Sequence, residues 1–116
     1  MIYHIAFEAD WDKAKEGGEY RMSTKGRTLE EQGFIHGGTT DQVAPVANMI
    51  YGSDDGLVVL VIDEGRLTSP LQYDDVPGWE QPFPHIYGPL NPDAVVSVLP
   101  LVRSSDGKYE FTPPGE

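Results

Sequence analysis

Apolar and polar positions alternate from the first residues of the chain. In "IYHIAF", Ile2, His4 and Ala6 fall on one face of an extended segment, and Tyr3, Ile5 and Phe7 on the other. The second face is large and apolar, so it is expected to meet the core. That leaves His4 on a face that can line a cleft. "LVVLVI" (Leu57 to Ile62) is unbroken in its hydrophobicity and predicts a central strand buried on both sides. "AVVSVLPLV" (Ala94 to Val102) predicts another apolar strand, bent at Pro100, and "KYEF" a final edge strand after the "SSDG" turn. "FIHGG" and "FPHIYG" predict short extended segments.

Helical spacing is confined to three places. "DWDKAKEGG" predicts about two turns, with Asp10 as N-cap and Gly17 or Gly18 as the stop. "TLEEQG" has Thr-x-x-Glu capping spacing and a closing glycine, which predicts a single turn. In "TTDQVAPVANMIYG", Val43, Val46, Ala47 and Ile50 share one face, with Gly52 closing the helix and Pro45 shifting its start or kinking it. "EYRMSTKGR" has neither period and reads as a loop. "SDDG" reads as a turn, and Ser69 to Gln81 as a long surface loop of the kind that often carries function. The sum is an α+β domain of five or six short strands and two or three short helices. It spans residues 1–116, with 110–116 as a frayed tail. No βαβ rhythm and no internal repeat are present.

Charge narrows the partners. Eight basic residues face 19 acidic ones, for a formal net charge of −11. Such a surface repels nucleic acid and anionic membrane. With no cysteine, disulfides and thiolate metal sites are excluded. No apolar run approaches the roughly 20 residues that span a bilayer, and "MIYHIAFEAD" lacks the basic start of a signal peptide. A cytoplasmic protein is expected, with no membrane partner and an open oligomeric state.

The candidate chemistry lies with the three histidines, His4, His36 and His85, each in or at the end of a predicted strand. They are either three separate rings, each satisfied by its own carbonyl, or one converging set. A neutral imidazole offers one donor and one acceptor, which suits ribose hydroxyls and proton transfer alike. A three-histidine metal site lacks the usual short ligand spacing. Five of the eight basic residues lie between positions 13 and 27. Within "RMSTKGR", Arg21, Ser23, Thr24 and Arg27 combine cations and hydroxyls that can hold an anion, or form a solvated loop. Tyr3 and Tyr87 flank two of the histidines and offer rings for stacking. G-x-S-x-G is absent, as is any cysteine nucleophile.

The segments "IYHIAF", "GEYRMSTKGRTLEEQGFIHGGTTDQVAPVAN", "LVVLVIDEGRL" and "FPHIYGPLNPDAVVSVLPL" together resemble a bacterial family known as domain of unknown function 952, from Ile2 to about Leu101. The resemblance implies a small ADP-ribosyltransferase-like fold, a split and bent β-structure distantly similar to RNA 2′-phosphotransferases. It further implies a cleft for NAD, ADP-ribose or a related nucleotide, with NAD as a substrate. By that resemblance His4 is the ribose contact and His36 a second cleft residue, while His85 or Tyr87 forms the opposite wall. Departures are visible. Where the family often has a serine soon after "FIH", this chain has Gly37 and Gly38, then Thr39 and Thr40, which leaves Thr39 as the polar contact. No equivalent of a catalytic glutamate stands out, and Asp74, Asp75 and Glu80 are candidates by position alone.

The expectation is therefore a nucleotide-like small-molecule ligand in a histidine-lined cleft, with transfer or hydrolysis at the anomeric carbon. His4, His36 and His85 are its catalytic candidates. Tyr3, Arg21, Ser23, Thr24, Arg27, Thr39 and Tyr87 are its ligand contacts, with no metal. The alternatives are a non-catalytic binding or interaction module of the same fold and a three-histidine metal-dependent hydrolase.

Overall fold

The unbroken apolar run at 57–62 becomes the middle strand of an antiparallel sheet, and the rest of an α+β architecture is arranged around it. The computed structural model describes residues 1–52 and 54–112. The chain begins with β1 (Ile2–Phe7), α1 (Glu8–Gly17), β2 (Met22–Thr24), β3 (Arg27–Thr28), α2 (Leu29–Gln32) and β4 (Ile35–His36). It continues with α3 (Thr40–Ile50), β5 (Leu57–Ile62), β6 (Leu71–Asp74), β7 (Phe83–Ile86) and β8 (Val95–Pro100). It closes with β9 (Val102–Arg103) and β10 (Tyr109–Glu110). Short 3-10 turns lie at Glu64–Arg66 and Pro92–Ala94.

Two three-stranded antiparallel sheets dominate, in the orders β1-β5-β8 and β4-β7-β6. β2 and β3 form a hairpin, as do β9 and β10. The sheets are joined at the glycine pair. Tyr3 and Gly38 exchange backbone hydrogen bonds of 2.9 and 2.7 Å, while Gly37 donates to Pro84 O at 2.9 Å. A Cβ on Gly37 would stand 2.8 Å from that carbonyl. The close approach that links the sheets therefore requires glycine.

The central sheet is buried on both faces. Ile2, Ala6, Val58, Leu60 and Ile62 pack with Trp11, Tyr20 and Leu29. Tyr3, Ile5, Val59 and Val61 pack with Val43, Val46 and Ala47 of α3 and with Phe83. The expectation that only the Tyr3 face of β1 meets the core is corrected, because the His4 face is core as well.

Local signals account for several elements. Thr28 and Glu31 make the anticipated capping box on α2, and Gly33 ends the helix with φ of 94°. α1 starts earlier than the expected Asp10 cap, at Glu8, whose N–H donates to Gly56 O at 2.9 Å. An orphan helix-start donor satisfied by backbone needs no capping side chain. α3 runs straight through Pro45. Both Pro45 and Asp41, whose carbonyl loses its helical partner, are exposed, so water can satisfy that carbonyl. The helix is capped by Tyr51 rather than Gly52. Ser53 of the expected "SDDG" turn and residues 113–116 of the expected frayed tail lie outside the described residues.

Two expected loops contain strands. "EYRMSTKGR" holds β2 and the start of β3, paired Met22 to Thr28 and Thr24 to Arg27. The long segment 69–81 holds β6, paired along β7 from Leu71–Ile86 to Asp74–Phe83.

Candidate functional site

His4 is the most deeply set of the three imidazoles. β1 holds it opposite Leu60, and it is 2% exposed. Its Nδ1 lies 2.6 Å from the carbonyl of His36, and its Nε2 2.8 Å from the Tyr20 hydroxyl. A carbonyl only accepts, so Nδ1 carries the proton and Nε2 accepts from Tyr20. Burial brings the His4 pKa down to about 4, opposed by the hydrogen bond to His36. The same desolvation pushes the Tyr20 phenol up. His4 is thus a neutral ring with both nitrogens committed to protein.

His36 and His85 face each other across the β4–β7 pair. His36 Nδ1 lies 3.2 Å from His85 Nε2, and His85 Nδ1 lies 2.7 Å from Asp74 Oδ2. Asp74, at the end of β6, also accepts a short hydrogen bond from the Tyr87 hydroxyl and one of 2.5 Å from the Gln72 amide. These bonds, from Tyr87, then Gln72, then His85, hold the Asp74 carboxyl down at about 2. It is an ionised acceptor at neutral pH.

Proton order follows from that end. Asp74 accepts from His85 Nδ1–H. A His85 ring that carries only that one proton accepts at Nε2 from His36 Nδ1–H. Neutral His36 is left with a bare Nε2. Burial first, then the neighbouring His85 and His4, bring the His36 pKa down to about 4. No described residue hydrogen-bonds its Nε2. Phe34 stacks on His85 with ring centroids 3.9 Å apart, and Phe83 lies 4.9 Å from the His36 ring. Packing therefore fixes both ring planes.

A narrow cleft opens between β1, β2, β4 and α3, with about 20 Å³ of free space, room for about one water. Tyr3, His4, Ser23, Thr24, His36, Gln42 and Tyr51 supply its polar lining, and among the described residues no lysine, arginine or carboxylate lines it. Ser23 is fully buried, and its Oγ has no hydrogen-bond partner among the described residues. A buried, unpaired hydroxyl costs stability, so its presence on a cleft wall calls for an explanation.

The expected residues divide accordingly. Tyr3, His4, Ser23, Thr24 and His36 line the cleft. His85 stands behind His36 and holds it. Tyr87 is 39% exposed and bonded to Asp74, away from the cleft lining. Thr39 caps α3, its N–H donating to Gln42 Oε1 at 2.9 Å. Arg21 is held by Glu30 and Glu19 at 2.5 and 3.2 Å and lines a separate surface hollow. Arg27 reaches Gln32 at 3.4 Å. Asp75 and Glu80 do not line the cleft. Among the described residues, no group of three or more histidine and carboxylate side chains is placed to hold a metal ion.

Sequence reasoning missed Gln42, Tyr51 and Phe34. Gln42 carried a signal, because it occupies the third helical position after Thr39, where a capping glutamine belongs. Its Oε1 caps Thr39 and its Nε2 donates to Pro82 O at 3.0 Å, tying α3 to the start of β7. Tyr51 and Phe34 carried none.

Fold and site together define an α+β protein with a cleft that no charged side chain lines among the described residues, and whose imidazole at His36 is braced by a second histidine and a carboxylate. The chain belongs to the family described as "Protein of unknown function (DUF952)", whose family model matches residues 5–98. It is similar to protein CC0527 from Caulobacter crescentus. The crystal structure of that protein is 29% identical with a TM-score of 0.81, over 94% of this chain and 92% of that one. Its solution NMR structure is 30% identical with a TM-score of 0.74, over 92% and 89%. No curated protein matches the sequence.

Proposed function

We propose that this chain is an ADP-ribosyltransferase-like domain that binds the ribosyl part of a nucleotide-like ligand in the cleft, with His36 Nε2 as acceptor for a ligand hydroxyl. The observation that carries the reading is a buried Ser23 Oγ with no partner among the described residues, on a cleft that His36 also lines. His36 Nε2 takes no hydrogen bond from any described residue. One donates and the other accepts, as adjacent sugar hydroxyls require. The bent junction of two antiparallel sheets at Gly37 and Gly38 supports the fold reading.

Size and charge limit the ligand. At about 20 Å³ the cleft as it stands is far below the roughly 300–1,000 Å³ of small-molecule sites, so a ligand enters only if its walls move apart. A ribosyl group demands less of that opening than a whole dinucleotide. Arg21 and Arg27, the expected phosphate contacts, are engaged elsewhere. His36 is suited to take a proton from a hydroxyl or from water attacking the anomeric carbon, an effect of about 10²–10⁴ in rate. Among the described residues no carboxylate lines the cleft, which favours binding without turnover as the second reading.

Isothermal titration with NAD, ADP-ribose and adenosine tests binding, and chromatography for released nicotinamide tests turnover. The reading expects saturable heat that His36→Ala and Ser23→Ala each weaken. No heat from any of the three at millimolar concentration overturns it. Binding without nicotinamide release selects the module over the enzyme.

A further inference from the structure

Four elements wall the cleft, and three of them are held fast. β1 is paired along its length with β5. β4 is paired with β7, and Gly38 just after it exchanges backbone bonds with Tyr3 of β1. α3 buries Val43, Val46 and Ala47. Side-chain bonds fix it near both ends. Gln42 Nε2 donates to Pro82 O at 3.0 Å, and Asn48 exchanges bonds of 3.2 and 2.7 Å with the Tyr109 backbone.

The fourth wall is the β2–β3 hairpin, which carries Ser23 and Thr24. It forms a two-stranded sheet of its own, paired at Met22–Thr28 and Thr24–Arg27 with a register shift on β2. Among the described residues, no backbone hydrogen bond joins 22–28 to another sheet or to α3. Its base is fixed where Tyr20 and Leu90 exchange bonds of 2.9 and 3.0 Å. Of residues 21–28 only Ser23 is buried. A hairpin with so few partners belongs to the low end of local stability. An ion pair holds its tip: Lys25 Nζ lies 2.6 Å from Asp54 Oδ2. Asp54 is a fixed post. Its N–H donates to Tyr51 O at 2.8 Å, and its carbonyl accepts from Arg103 at 2.6 Å and from the Tyr109 hydroxyl.

We infer that the β2–β3 hairpin is a flap over the cleft, latched by Lys25 and Asp54, and that it swings away from β1 and α3 to admit a ligand. That the ligand is ribosyl rests on the reading above; the motion does not.

The chain has no cysteine, so one introduced thiol reports the opening. Ser23→Cys is nearly isosteric and breaks no hydrogen bond with a described residue. In the full chain without ligand, its thiol should react with an aromatic disulfide reagent faster than global unfolding of the same protein allows. Lys25→Met should speed that reaction about two- to fivefold, the worth of a half-exposed ion pair. Salt at about 1 M should do the same only while Lys25 is present. Val46→Cys, on the α3 wall, should react at the global rate and ignore Lys25→Met. Reaction of Ser23→Cys at the global rate, or indifference to Lys25→Met, overturns the flap. So does a Val46→Cys thiol that reacts as fast as Ser23→Cys, which would make α3 the moving wall. Amide exchange in the wild type needs no variant. Amides of residues 22–28 should open far more readily than those of β5, and equal protection overturns the flap as well. None of these outcomes touches the ribosyl reading, which stands or falls on the calorimetry.

Discussion

His36 and His85 are directly opposed in antiparallel register, with Nδ1 of one 3.2 Å from Nε2 of the other. With Asp74 claiming the Nδ1 proton of a singly protonated His85, the proton between the two rings belongs to His36. Two-bond ¹⁵N–¹H spectra at pH 7 should therefore place His36 in the Nδ1–H form, with Nε2 at an unprotonated shift. In Asp74→Asn the amide can donate as well as accept, so the order is released. The His36 signals should then move toward a mixture of tautomers. Unchanged His36 signals in that variant would mean that Asp74 does not set the order.

Acid should destabilise the protein in two separate windows. His4 and His36 have folded pKa values of about 4 against an ordinary 6.5. Between those values the unfolded chain binds protons that the native rings refuse, so stability falls as pH drops from 6.5 toward 4. Asp74 works in a lower window. Its carboxyl is held at about 2 against an ordinary 3.8, and its contribution is complete above 3.8 and lost on the way down to 2. Urea midpoints from pH 7.5 to 4.5 should decline for the wild type and decline less steeply for His36→Asn, which removes one of the two depressed groups. A flat wild-type profile would contradict the burial of both rings.

The two-sheet junction makes Gly37 intolerant of any side chain. Its φ does not demand glycine, so the argument is purely steric: the added methyl would meet Pro84 O at 2.8 Å. Backbone would have to move, and Gly37→Ala should cost about 1–3 kcal/mol, as overpacking does. Gly38→Ala meets nothing closer than 3.5 Å and should cost less. Chemical denaturation of the two variants ranks them, and equal stabilities would refute the account of the junction.

What the sequence disclosed depended on how local each signal was. β5 was legible because six consecutive apolar residues suit only a strand covered on both faces. α2 was legible because its capping box is written within four residues. His36 and His85 were placed on strands, but their register, which creates the contact, is set by pairing 49 residues apart. His4 was misjudged for a physical reason. Alternation separates two faces but cannot tell core from cleft when both faces are covered, and the Tyr20 hydroxyl that occupies His4 arrives from a distant loop. β6 was hidden because "LQYD" is partly exposed and owes its extension to β7 rather than to its own pattern. The cations of "RMSTKGR" were visible, but the carboxylates that claim Arg21 were not.

The contrast between His4 and Ser23 gives the most decisive test, because two buried polar residues of one cleft should respond in opposite ways. His4 has both nitrogens bonded, and removing its ring leaves a cavity, an unpaired Tyr20 hydroxyl and an unpaired His36 carbonyl. His4→Ala should therefore cost about 2–5 kcal/mol in ligand-free protein. Ser23 Oγ has no partner among the described residues. Ser23→Ala discards a desolvated hydroxyl and removes no hydrogen bond, so the ligand-free protein should be unchanged or gain up to about 1 kcal/mol. Thermal unfolding of both variants without ligand measures the difference. A loss of stability in Ser23→Ala as large as that in His4→Ala would mean that the hydroxyl has a structural partner, and with it would go the strongest reason for placing a ligand in the cleft.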